Sequence, residues 1–100
     1  MIPKLKEVVY LAIGQRVTVA RKENGMTIPE LAKKSKVELQ VLSYIEAGRN
    51  KVAITDLIKI ALALKVDIHV LIPQASKELL EDGEDFARKT VEQTLQNIGK

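Results

Sequence analysis

The chain has 100 residues, of which 46% are apolar and none is cysteine; this suits one compact domain with an aliphatic core and excludes disulfides and thiolate metal sites. No apolar stretch approaches the roughly 20 residues that span a bilayer, and the N-terminus lacks the apolar run of a signal peptide, so we expect a soluble, intracellular protein. Residues 1–72 hold 12 Lys/Arg and 7 Asp/Glu, whereas residues 73–100 hold 4 and 6; a basic body suits a polyanionic partner, although an ordinary solvated surface explains it as well.

Apolar residues recur at helical spacing nearly everywhere, which predicts an all-α fold. The first helix begins just after Pro3 and ends near Glu23, because Asn24-Gly25 tolerates the left-handed cap conformation. The stretch Thr27-Ile-Pro-Glu30 is typical of a capping box with proline in the first turn. It predicts a second helix over residues 28–35.

A turn of three or four residues then leads to a third helix over residues 38–47, which Gly48 ends. Val37, Leu42 and Ile45 form its inward side. The opposite side, here called the reading face, carries Leu39, Gln40, Ser43, Tyr44 and Ala47.

The spacing of Ile54, Leu57, Ile58, Ala61 and Leu64 predicts a fourth helix.

A short fifth helix over residues 68–72 follows Asp67 as its cap and ends at Pro73. The pattern divides the chain into a domain over residues 1–73 and an extension over residues 74–100. The extension contains one more amphipathic stretch, residues 84–98.

Two short helices joined by a tight turn and packed against a longer helix form a helix-turn-helix, here from about Thr27 to Gly48. The second helix of such a pair is narrow enough to lie in the major groove of DNA, while the first crosses the backbone. The side chains of the reading face would then meet base edges.

Several stretches carry a resemblance to a known family: Ile13-Gly14-Gln15-Arg16-Val17, Arg21-Lys22-Glu23-Asn24-Gly25-Met26-Thr27, Glu30-Leu31-Ala32-Lys33-Lys34-Ser35 with Val37, Ser43-Tyr44-Ile45-Glu46-Ala47-Gly48-Arg49, and Leu57 to Asp67. As a set they resemble the lambda-repressor/Cro-like helix-turn-helix (Xre-type) family of bacterial and phage transcription regulators, over about residues 11–72. The resemblance implies a five-helix domain, double-stranded operator DNA as partner, and a homodimer on a near-palindromic site. It places DNA contacts at positions 28, 38–40, 43 and 44 and in the loop after Gly48.

The chain departs from the family pattern at four positions. Ile28 stands where a Gln is usual, and Lys36 where a Gly is common in the turn. Glu38 replaces the Ser or Thr that opens the recognition helix, and Leu39 replaces a polar or basic residue. The scaffold therefore follows the family more closely than the predicted DNA-contact positions do.

The candidate base-reading residues are Glu38, Leu39, Gln40, Ser43 and Tyr44. Gln40 can donate and accept at an adenine edge, or simply face water. Tyr44 can reach a phosphate or sugar, or cover the core. Leu39 can touch a thymine methyl, or form an apolar protein-binding spot with Ala47. Glu38 can accept from cytosine N4, or be an exposed acid at a helix start.

Basic and polar residues around the helix pair are candidates for phosphate binding: Arg16, Thr27, Lys33, Lys34, Lys36, Arg49, Asn50 and Lys51. Any single surface Lys or Arg is more often just solvated, so the prediction depends on the group.

The remaining apolar residues exceed what a five-helix core requires, and an amphipathic helix must bury its stripe. The candidate dimer interface is Val70, Ile72, Phe86, Val91, Leu95 and Ile98. The alternative is that the last helix folds back onto its own domain.

Catalytic and cofactor chemistry is not indicated. His69 is the single histidine and has no partners at metal-ligand spacing, the three serines have no nearby base, and no glycine-rich phosphate loop occurs. We therefore expect no enzyme activity, no metal and no cofactor. The sequence predicts a DNA-binding transcriptional repressor; the alternative is an antitoxin or adaptor that binds a protein partner such as a toxin.

Overall fold

The computed structural model describes residues 4–49 and 51–73, which form five α-helices. These are α1 (Leu5–Glu23), α2 (Ile28–Ser35), α3 (Leu39–Glu46), α4 (Ile54–Leu64) and α5 (Ile68–Leu71). These residues include no strand, so the predicted all-α, five-helix fold is confirmed. The helix predicted over residues 84–98 lies outside the described residues. Within the described ranges, no helix has the length and apolar character needed to cross a membrane.

Local chemistry sets the helix ends. The Thr27 hydroxyl accepts from the Glu30 backbone N–H at 3.2 Å, and the Glu30 carboxylate accepts from the Thr27 N–H at 3.2 Å. This is the predicted capping box, which satisfies two N–H groups that a helix start leaves unpaired. Asp67 caps α5 with a single hydrogen bond, accepting from the His69 N–H at 2.9 Å. Gly25 takes the left-handed conformation that ends α1, with φ of 67°.

The turn between α2 and α3 consists of Lys36, Val37 and Glu38. Lys36 is left-handed, with φ of 62°, which explains why this position favours glycine. Val37 is buried, and its N–H donates to the Ser35 hydroxyl at 3.3 Å. Glu38 is extended and precedes α3 as its N-cap, so α3 begins one residue later than predicted.

The core lies where the five helices meet, and the inward positions predicted for α3 are buried. Its largest fully buried side chains are Leu31, Leu42, Ile45, Ile60, Leu64 and Leu71. The apolar residues of α4 divide between two sides. Leu57, Ile60, Ala61 and Leu64 are buried, but Ile54, Ile58 and Leu62 are exposed. Ile58 and Leu62 each lie two positions from Ile60, about 200° around the helix, and therefore point away from the core.

Candidate nucleic-acid interface

Helix α3 is held against α1 by a close backbone approach at Gly14. A Cβ at this position would lie 2.7 Å from the Glu46 carbonyl oxygen and would also collide with the Ile45 carbonyl. Only a residue without a side chain fits there. The α3 backbone consequently rests directly on α1.

A buried ion pair fixes the far end of the same contact. Arg21 Nε and Nη2 donate to the Glu46 carboxylate at 2.8 and 3.0 Å, and Nη1 donates to the Met26 carbonyl at 2.8 Å. The Thr18 hydroxyl also donates to Glu46, at 2.8 Å. The two charged side chains are 10% and 6% exposed. Three of the five guanidinium N–H groups are bonded in this way, and the bidentate pair fixes the position of α3 relative to α1.

Sequence reasoning did not assign this pair a role. One signal was present, because Gly14, Thr18 and Arg21 follow helical spacing on one side of α1. Their partner lies 25 residues further along, so no local pattern could identify it.

On the reading face, Gln40 and Tyr44 are one helical turn apart and contact each other. The Gln40 amide nitrogen donates to the Tyr44 hydroxyl oxygen at 2.9 Å. The Arg49 guanidinium lies 5.9 Å from the centre of the Tyr44 ring, within range of a cation–π interaction.

The end of α3 explains how Arg49 reaches Tyr44. Gly48 is left-handed, with φ of 70°. The Arg49 N–H donates to the Tyr44 carbonyl at 3.1 Å, and the Gly48 N–H donates to the Ile45 carbonyl at 3.0 Å. This is a Schellman motif, which turns the chain back beside the last turn of the helix.

The other candidate base-reading residues are also accessible. Leu39 is 49% exposed, Glu38 is exposed with its carboxylate making no cap hydrogen bond, and Ser43 is half-buried. The structure therefore brings all five candidates together on or just before α3.

The phosphate-binding candidates fall into separate groups. Lys33, Lys34 and Lys36 are exposed at the end of α2 and in the turn, and Arg49 and Lys51 are exposed after α3. Both groups lie next to an end of α3. The Thr27 hydroxyl is engaged as the α2 cap. Asn50 lies outside the described residues.

Arg16 lies elsewhere on the domain. It is two positions from Gly14, hence about 200° around α1 from the contact with α3. Its Nη1 donates to the Val70 carbonyl of α5 at 3.3 Å. The structure places it beside α5 rather than beside the helix pair.

Of the dimer candidates, Val70 on α5 is 49% exposed, whereas Ile72 is half-buried and packs against the core. Phe86, Val91, Leu95 and Ile98 lie outside the described residues. A second apolar surface was not predicted: Ile54, Ile58 and Leu62, the last 74% exposed, form the apolar stripe of α4.

Two short helices joined by a three-residue turn, the second presenting an exposed polar face with cations beside each end, define a DNA-binding helix-turn-helix protein. The sequence profile of the helix-turn-helix family HTH_3 matches residues 19–71, slightly more than half of the chain. The chain belongs to this family, which is the lambda-repressor/Cro-like type of transcription regulator.

Solved structures agree with this assignment. The restriction-modification controller protein C.AhdI from Aeromonas hydrophila is 26% identical with a TM-score of 0.60, covering 62% of this chain and 94% of its own. The clp gene regulator ClgR from Corynebacterium glutamicum is 26% identical with a TM-score of 0.63, covering 98% and 93%. The chain matched in the complex of the SinR protein with the SinI protein is 27% identical with a TM-score of 0.60, covering 88% of this chain and 99% of its own. A search of curated protein sequences gives no match.

Proposed function

We propose that this protein is a sequence-specific DNA-binding repressor that acts as a homodimer on a near-palindromic operator. The observation that carries the proposal is the reading face of α3. Its polar side chains, Gln40 and Tyr44, are accessible and linked, and α3 itself is fixed to α1 through Gly14 and the Arg21–Glu46 pair. A rigidly placed helix can bring the same side chains to the same base pairs each time.

Phosphate contacts would set the depth and register of α3 in the groove. Lys33, Lys34 and Lys36 precede α3, and Arg49 and Lys51 follow it, so cations flank both ends. Such contacts supply affinity without sequence information, whereas Gln40 would supply the information by pairing with an adenine. A domain seated in this way covers its operator and excludes polymerase from the same DNA, which is the basis of the proposed repression.

The direct test is titration of the full chain into DNA from upstream of its own gene and into a scrambled duplex, at about 50 and about 200 mM salt. We expect tight binding to the upstream DNA that survives the higher salt. Equal, weak and steeply salt-dependent binding to both duplexes would contradict sequence-specific recognition of that DNA. A reporter gene behind the bound DNA then measures repression.

Two kinds of variant separate base contacts from phosphate contacts. Gln40→Ala should relax preference at one operator position by roughly 1–3 kcal/mol. Lys33→Ala and Arg49→Ala should weaken binding to all sequences alike and lower the salt slope by about one each. Lys59→Ala is the matched control, because Lys59 is exposed on α4. An unchanged operator preference in Gln40→Ala would refute the base-reading role.

The homodimer is proposed from exposed apolar surface. Val70 on α5 and the apolar stripe of α4 lie on two helices that pack against each other, and water-exposed apolar area of this kind marks protein interfaces. We assign a second copy as the occupant because a near-palindromic operator requires two recognition helices related by two-fold symmetry.

Leu62→Lys tests that assignment in the full chain, because a side chain 74% exposed can change without disturbing the core. Sedimentation equilibrium should show a weaker dimer with unchanged circular dichroism. An unaltered dimer would move the interface to residues 84–98.

A protein-interaction module, such as an antitoxin or adaptor, is the second candidate. The observation in its favour is Leu39, an apolar side chain that is 49% exposed at the N-terminal end of the reading face. The solved structure of the SinR protein with the SinI protein, to which this chain is similar, is a complex of two different proteins. Failure to bind any duplex at low salt, together with a toxin-like reading frame beside the gene, would favour this candidate.

A further inference from the structure

We propose that Tyr44 is a positioning residue for Gln40, holding the Gln40 amide so that the pair together selects adenine over guanine. The inference deepens the proposed function and depends on it. It starts from the contact on the reading face, where the Gln40 amide nitrogen donates to the Tyr44 hydroxyl at 2.9 Å.

Counting donors and acceptors shows what this contact leaves available. A glutamine amide has two N–H donors and one carbonyl oxygen. With one N–H committed to Tyr44, one N–H and the oxygen remain for DNA. Adenine presents N7 as an acceptor and N6–H₂ as a donor in the major groove, which matches one N–H and one oxygen. Guanine presents two acceptors, N7 and O6, so the held amide would place its oxygen against O6.

Tyr44 is itself held in place. Its ring is half-buried, and the Arg49 guanidinium lies 5.9 Å from the ring centre. The Arg49 N–H is bonded to the Tyr44 carbonyl, so the same turn positions both side chains. Because the Tyr44 hydroxyl accepts from Gln40, its own proton remains free to donate to a phosphate oxygen. The Gln40–Tyr44 pair can therefore link a contact with the DNA phosphate backbone to the contact with the base.

The hydrogen bond also orders Gln40 before DNA arrives. An exposed glutamine otherwise samples several rotamers and both orientations of its amide, and that freedom is lost on binding. Restricting it in the free protein favours the one orientation that fits adenine.

The test begins with the operator that the full wild-type chain selects from a random duplex pool. Affinity is then measured for all four base pairs at the position where Gln40→Ala loses its preference. Tyr44→Phe should lower the adenine preference there by about 2- to 12-fold, the value of one hydrogen bond. Preference at other positions should not change, whereas loss of the Tyr44 hydroxyl's phosphate contact should weaken binding to all duplexes, including the scrambled one, alike. In the Gln40→Ala background, Tyr44→Phe should have no further effect at that position.

The variant keeps the ring, its burial and its contact with Arg49, so it removes only the hydroxyl. Tyr10→Phe removes the other tyrosine hydroxyl of the chain, on α1, and is the matched control. It should leave the adenine preference unchanged.

Unchanged adenine preference in Tyr44→Phe overturns the proposal. Additive losses of adenine preference in the Gln40→Ala, Tyr44→Phe double variant also overturn the proposal, because Tyr44 would then contact the base independently of Gln40. NMR of the free protein separates this failure from failure of the proposed function: the Gln40 side-chain amide signals should shift and become more mobile in Tyr44→Phe. If they do so but wild-type protein shows no sequence preference, the hydrogen bond exists and the DNA-reading function is wrong.

Discussion

Removing the Glu46 side chain should be among the most damaging substitutions outside the apolar core. Glu46→Ala deletes the acceptor of two Arg21 hydrogen bonds and of one from Thr18. The guanidinium keeps only the Met26 carbonyl, at 2.8 Å. Because Arg21 is 8% exposed, water cannot replace the lost carboxylate, and a buried cation remains uncompensated.

The magnitude follows from that burial. Breaking a buried ion pair by removing one partner costs about 3–5 kcal/mol, and side chains 10% and 6% exposed need no discount for solvent screening. Proteins of this kind have total stabilities of about 5–15 kcal/mol. The variant should lose a large share of its stability, and its Tm should fall by at least about 12 °C.

Urea unfolding followed by circular dichroism measures this loss. Glu23→Ala, an exposed glutamate at the end of α1, is the control and should change stability by less than about 0.5 kcal/mol. A double variant, Arg21→Met with Glu46→Met, should lose less than Glu46→Ala because no unpaired charge remains. If Glu46→Ala costs less than about 1 kcal/mol, the ion pair does not hold α3 as argued.

Two further changes test the backbone geometry. Gly14→Ala should destabilise the domain by about 1–3 kcal/mol, because the new Cβ would press on the Glu46 carbonyl. Urea unfolding measures this change. If the free energy of unfolding instead rises by up to about 1 kcal/mol, as it does at an unobstructed helical glycine, α1 and α3 are further apart than the structure places them. Lys36→Gly should stabilise the domain by up to about 1 kcal/mol, since it relieves a left-handed lysine, and should weaken binding to every duplex. Thermal melts measure the gain in stability, and DNA titrations at two salt concentrations measure the loss of binding. A lower Tm for Lys36→Gly would contradict the predicted stabilisation.

The helix pattern could be predicted because its causes are local. The Thr27–Glu30 capping box and the Asp67 cap act within three residues, and their hydrogen bonds occur where the sequence places them. The burial of α4 was harder to predict. Ile54 and Ile58 are as apolar as Leu57, and spacing alone does not say which of them meets another helix. Packing against α2 and α5 decides this, and it leaves the two isoleucines exposed.

The positions of the candidate residues on α3 could be predicted from the sequence, but the hydrogen bonds and the ion pair that hold the site together could not. Helical spacing placed Gln40 and Tyr44 on the same side of α3, and the structure confirms that placement. Their hydrogen bond depends on rotamers, which spacing does not determine. The Arg21–Glu46 pair joins two helices 25 residues apart, so its existence depends on the tertiary fold.

The residues that hold α3 in place differ in role from the residues of the reading face. Gly14, Arg21 and Glu46 meet partners inside the chain, and changing any of them should destabilise the domain or shift α3. Leu39 and Gln40 point outward from the core, so they can vary while α3 keeps its position. Membership of the family therefore determines where α3 lies, whereas the bases that α3 is proposed to read would depend on side chains particular to this chain. The proposed preference for adenine accordingly depends on the geometry of Gln40 and Tyr44, because the shared fold does not supply it.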